Sequence, residues 1–188
     1  MVAVRQQLRH PFGEVRDNAV ELERSITVPV VEGLNFLLAS FYTLYHQYQK
    51  HHWLVEGAEF GDLHQLFDDY AEKTRGYAED LGERVNGLGG VPVSSPVKLQ
   101  EMACFAFEEE GAFDCRTMIA NDLKAEAEII KMLRRQIATA ASLGDYGTEH
   151  YLKEILVASE ERAFHLNHYL ADDSLVLDLV APTANGTR

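Results

Sequence analysis

His51–Gly90 reads HHWLVEGAEFGDLHQLFDDYAEKTRGYAEDLGERVNGLGG, and the rest of the chain looks like scaffold around it. The stretch carries the strongest metal-ligand candidates: His52, His64, Glu79 and Glu83. From about Glu59 to Leu88 the residues Leu63, Leu66, Phe67, Tyr70, Tyr77, Leu81 and Val85 recur at helical spacing, which predicts one long helix after a break at Gly57. Glu79 and Glu83, four positions apart, then share a face. Carboxylates combined with imidazoles make a nitrogen and oxygen donor set suited to iron, manganese or zinc rather than calcium. Distance imposes a sharper condition. His64 and Glu79 are fifteen residues apart on that helix, roughly 22 Å at helical rise. One chain cannot bring both to the same ion. If all four residues bind metal, a second copy completes the site. A two-fold pairing with helices crossing antiparallel brings His52 and His64 of one subunit to Glu79 and Glu83 of the other, with two such sites per dimer.

The order of these residues resembles the Dps family of ferritin-like mini-ferritins. Members carry an HW pair, a Gly, a helix opening LHE-F-D, then two acidic residues four apart and a closing ER-LGG-P. His52, Trp53, Gly57, His64, Asp68, Glu83, Arg84, Gly89, Gly90 and Pro92 fall at the matching positions. The resemblance runs over roughly residues 28–172 and implies a ferritin-like four-helix bundle. It further implies a hollow dodecamer, built from two-fold dimers, that oxidises Fe(II) at intersubunit sites and stores Fe(III) mineral inside. His52, His64, Glu79 and Glu83 would be the ligands that carry the oxidation. Asp68, one turn after His64, would be an alternate ligand or a support behind the ligands. One departure stands out: the family's first carboxylate is usually Asp, and here it is Glu79 with Asp80 next to it.

Composition sets the outer bounds. At 188 residues the chain is one domain, long enough to bury a core. The polar N-terminus MVAVRQQLRHPFGEVRD is no secretory leader, and no long uninterrupted apolar run suggests a membrane span, so a cytoplasmic protein is expected. Cys104 and Cys115 have no metal spacing and do not form a disulfide framework. The net charge of −13 disfavours nucleic acid and favours cations.

The chain divides into an arm (1–27), a bundle (28–172) and a tail (173–188). The arm mixes Arg5, Arg9, Arg16 and Arg24 with acidic residues and has no lysine, unlike the lysine-rich DNA-tethering tails of the resembled family. DNA binding is therefore expected to be weak or absent. A first helix is predicted from about Thr27, as N-cap, to His52. A small helix is predicted at Leu99–Phe107, in the connection between the second and third long helices. Glu108, Glu109 and Glu110 read as a solvated turn or a helix start. A third long helix spans about Ala112–Ser142, and a fourth about Thr148–Asp172 with Thr148 as N-cap. The GD-GT turn before it is shared with the Dps family, whose acidic residues there line three-fold pores for Fe(II) entry. The matching positions are Asp145, Glu149 and His150, and plain helix capping is the alternative for Asp145. His165 and His168, three apart on one helical face, suit an additional metal ligand, or a pair of surface histidines. His51 is expected to face solvent, and His10 and His46 receive no function.

The expected function is thus iron storage and detoxification by a ferroxidase that uses Fe(II) and, preferably, hydrogen peroxide. The alternative is a structural or DNA-associated cage whose metal site is silent or holds zinc. A larger ferritin with its site inside one bundle would use Glu-x-x-His motifs, and no histidine here has a glutamate three residues before it.

Overall fold

The computed structural model describes residues 8–171, and every regular element among them is helical. Four long helices, α1 (Arg24–Leu54), α2 (Phe60–Gly87), α4 (Cys115–Leu143) and α5 (Tyr146–Tyr169), form the bundle, with the short α3 (Pro96–Met102) between α2 and α4. The first seven residues, Arg5 among them, and the expected tail lie outside the described residues.

Connection lengths dictate the topology. Short turns join α1 to α2 and α4 to α5, making two antiparallel hairpins. The long α2–α4 connection, which carries α3, lets the second hairpin pack across the first. Leu34, Leu37, Leu38, Phe41 and Leu44 of α1 meet Leu81 and Val85 of α2 and Ile129 and Leu133 of α4 in one core. α1 contains a window apolar enough to cross a membrane, and 67% of that window is buried in the bundle. Its apolar surface is spent on protein packing.

Polar side chains stitch the middle of the bundle. Glu126 is fully buried and accepts hydrogen bonds from Arg162 Nε (2.5 Å), Arg162 Nη2 (3.2 Å) and Tyr48 Oη (2.8 Å). Burial in so dry a place is tolerable only because charge meets charge and most hydrogen-bonding positions are filled. Close approach matters too: a Cβ on Gly89, whose φ is +84°, would sit 2.2 Å from the Arg16 backbone oxygen, so the turn after α2 needs glycine there.

Several boundaries differ from expectation. α1 begins at Arg24, where the Ile26 and Thr27 N–H groups both bond the Glu23 carbonyl. Thr27 is therefore inside the helix, fully buried, and caps nothing. α3 starts earlier than the sequence suggested because Pro96 sits at its first turn, where a fixed φ and a missing N–H cost nothing. Phe105 and Phe107 fall in the following loop. Asp145, not Thr148, is the N-cap of α5: its Oδ1 accepts from Thr148 N (3.0 Å) and its Oδ2 from Thr148 Oγ1 (2.6 Å). Asp114 caps α4 in the same way.

Candidate metal centre

His52 lies in the last turn of α1 and His64 in the second turn of α2, on either side of the Val55–Glu59 turn. Each imidazole is fixed by the other residue's backbone. His52 Nδ1 donates to the His64 carbonyl at 2.8 Å, and His64 Nδ1 donates to the His52 carbonyl at 2.8 Å. The acceptors are carbonyl oxygens, so both Nδ1 atoms carry the proton. Both Nε2 atoms are left with a free lone pair, the tautomer a metal requires. The rings stack at 3.9 Å, and Phe60 backs His64 at 4.8 Å. Asp68 Oδ1 lies 4.0 Å from His52 Nε2, on the side where the lone pairs emerge. The three side chains thus place nitrogen and oxygen donors together at one end of the α1–α2 hairpin.

Glu79 and Glu83 lie farther along the same unbroken helix. Both are exposed and line a groove with Tyr42, His46 and Gly82. Asp80 points elsewhere, accepting a 2.9 Å hydrogen bond from Tyr151 Oη. This commitment favours Glu79 over Asp80 as the carboxylate available for metal. Among the described residues no group of three or more His, Cys, Asp or Glu is arranged to hold an ion within the single chain.

The residues next to the histidines hold them in place, and here the solvent-facing reading of His51 is corrected. His51 is fully buried. Its Nδ1 lies 2.9 Å from Asp122 Oδ2 and its Nε2 2.8 Å from Glu108 Oε1. Glu108 is likewise no part of a solvated turn: it accepts from Lys50 Nζ (2.7 Å) and Asn121 Nδ2 (2.7 Å). Burial pushes the Asp122 carboxyl up to about 6, against the pull of His51. Burial opposes the charged form of His51, but Asp122 and Glu108 outweigh it and raise its pKa. The network bolts the end of α1, and with it His52, to α4 and the loop before it. The sequence signal was a second histidine beside His52, with no way to see the carboxylates it would reach.

The other expected site residues are dispersed. His165 Nδ1 is 3.2 Å from Tyr70 Oη, whereas His168 Nδ1 bonds the Phe164 carbonyl at 2.9 Å, so the two imidazoles have separate partners. Asp145 is buried and accepts from Arg84 Nη2 at 2.9 Å besides capping α5. Glu149 pairs with Lys153, and the exposed His150 lies 3.4 Å from Glu154.

Comparison with known proteins places the architecture. Residues 31–176 match the Ferritin-like domain family. A Nostoc protein named "Nutrient stress-induced DNA-binding protein" is 53% identical over 180 residues, covering 96% of this chain and 98% of that one. The crystal structure of an archaeal Dps homologue from Halobacterium salinarum superposes with a TM-score of 0.88 at 44% identity, covering 91% of this chain and 96% of the other. DpsC from Streptomyces coelicolor gives the same TM-score at 30% identity, covering 90% and 99%.

Proposed function

The chain belongs to the Dps family of ferritin-like proteins, and on that footing we propose that it is an iron-storage and detoxification protein whose ferroxidase site forms between two copies. The observation that carries this reading is the reciprocal fixing of His52 and His64, which leaves both Nε2 lone pairs free beside Asp68, with Glu79 and Glu83 farther along the same helix. His52, His64 and Asp68 of one copy, with Glu79 and Glu83 of the other, hold the Fe(II) substrate. Carboxylate oxygens are hard donors and favour Fe(III) over Fe(II), which eases loss of an electron. Hydrogen peroxide is the preferred oxidant: two Fe(II) give up one electron each, and peroxide with two protons leaves as two waters. Twelve copies close a cage that keeps the Fe(III) mineral away from further peroxide. Zinc suits the same donors and is expected to compete with Fe(II).

The name of the Nostoc relative favours a second reading, association with DNA. A net charge of −13 opposes it at physiological salt, because DNA affinity comes largely from neutralising phosphates. Contact with DNA, if made, is weak and is lost as salt rises; a mobility-shift titration in salt measures it.

Stopped-flow absorbance of Fe(II) oxidation, with peroxide and with oxygen, tests the main reading on metal-stripped protein. His52→Ala/His64→Ala should remain assembled by light scattering and oxidise slowly. Equal rates for variant and wild type would make the histidines structural.

A further inference from the structure

We propose that the face completing the metal site is the groove between α1, α2 and α3, and that at its centre Tyr42 of each copy meets His46 of the other across the two-fold axis. This rests on the intersubunit reading above and adds where the axis passes and what lies on it.

Two open grooves of about 560 and 580 Å³ run side by side along α1. One reaches Trp53 and Leu54, beside His52. The other reaches Glu79 and Glu83. Tyr42, His46, Pro96 and Leu99 line both. Glu79 and Glu83 therefore lie toward one end of the combined groove, and Trp53 and Leu54, which follow His52 in the last turn of α1, toward the other, with these residues between them. Trp53, 68% exposed, adds apolar surface along it. A two-fold partner exchanges the ends, which is what the split ligand set requires, and brings the middle against its own copy.

Helix register locates the axis. Phe41 packs on Tyr77 and Tyr48 on Tyr70, so each step up α1 is a step down α2. Midway along α2 between His64–Asp68 and Glu79–Glu83 lie Lys73 and Thr74. The level with these on α1 is Leu44–Tyr45. Tyr42 and His46 flank that level, four apart and facing the groove. A two-fold axis at this height carries the position of Tyr42 to that of His46 and the reverse. Each residue then meets the other kind, twice, rather than itself.

Their chemistry is complementary. Among the described residues neither the Tyr42 hydroxyl nor the His46 imidazole has a hydrogen bond or ion pair, and the His46 ring lies 5.0 Å from the Tyr45 ring. Partial burial holds the imidazole pKa below its ordinary value, which favours the neutral ring and its lone pair. A phenol donates and a neutral imidazole accepts. Two polar groups that the single chain leaves without partners become partners in the dimer.

Cysteine cross-linking tests the register, in a Cys104→Ser/Cys115→Ser background with assembly checked by light scattering. Tagged Tyr42→Cys chains are co-expressed with untagged His46→Cys chains and linked by mild oxidation or a short bismaleimide. Tagged His64→Cys with untagged Glu83→Cys serves as the control across the metal site. The expected result is a 42–46 mixed dimer several-fold more abundant than either 42–42 or 46–46, alongside a 64–83 product. If 64–83 links but 42–46 does not, or 46–46 links equally well, the placement of the axis is overturned while the intersubunit site stands. If assembled protein links at neither pair, the intersubunit reading fails and takes this inference with it.

Discussion

Arg162→Leu should destabilise the bundle far more than an ordinary core truncation. The guanidinium is 2% exposed and supplies two of the three hydrogen bonds that Glu126 accepts, leaving only Tyr48 Oη when removed. A buried carboxylate stripped of its counter-charge costs about 3–5 kcal/mol. For a chain of this size that is a fall in Tm of about 10 °C. Removing both charges in Glu126→Leu/Arg162→Leu should recover most of the loss, because no charge is then left in the dry interior. The assay is thermal and urea unfolding at one fixed protein concentration, since assembly adds its own stabilisation. A single variant as stable as wild type, or a double variant as weak as the single, would refute the reasoning.

Other outcomes follow from the same side-chain arrangement. Asp80→Asn should leave Fe(II) binding by titration calorimetry near wild type, whereas Glu79→Gln should weaken it about tenfold or more, because Asp80 is occupied by Tyr151. Asp145→Ala should lower stability to urea by about 1–2 kcal/mol through loss of the α5 cap and of the Arg84 contact. The folded chain raises the pKa of His51 above 6.5 and lifts Asp122 from 3.8 to about 6, so both bind protons more tightly when folded. Their contribution is present at acid pH, is lost from Asp122 as pH rises between about 4 and 6, and is lost from His51 above that. Urea midpoints from pH 4 to 8 should therefore fall more steeply in wild type than in His51→Gln/Asp122→Asn, and parallel curves would count against the network.

The long helices were legible because their apolar residues recur at helical spacing, and α2 in particular appears within one residue of where its stripe and Gly57 placed it. Helix starts were not, because caps compete locally: Thr148 and Asp145 are both good cap residues, and only the three-dimensional turn shows that Asp145 reaches the Thr148 N–H. The separation of the two ligand pairs was readable from helical rise alone. What the sequence hid was long-range. Nothing near His51 announces Asp122 or Glu108, which lie 71 and 57 residues away. The exchange of carbonyl bonds between His52 and His64, which sets their tautomers, likewise depends on how closely α1 returns beside α2.

Subunit complementation tests most directly whether a complete metal site needs two chains. Chains carrying His52→Ala/His64→Ala are co-assembled with chains carrying Glu79→Gln/Glu83→Gln, and Fe(II) oxidation is followed by stopped flow. Each variant alone should be slow. In a mixed dimer one of the two sites loses both the histidine pair and the glutamate pair and the other regains both, so an equal random mixture should recover about a quarter of the wild-type sites. A co-assembled mixture no faster than either pure variant would contradict the shared site.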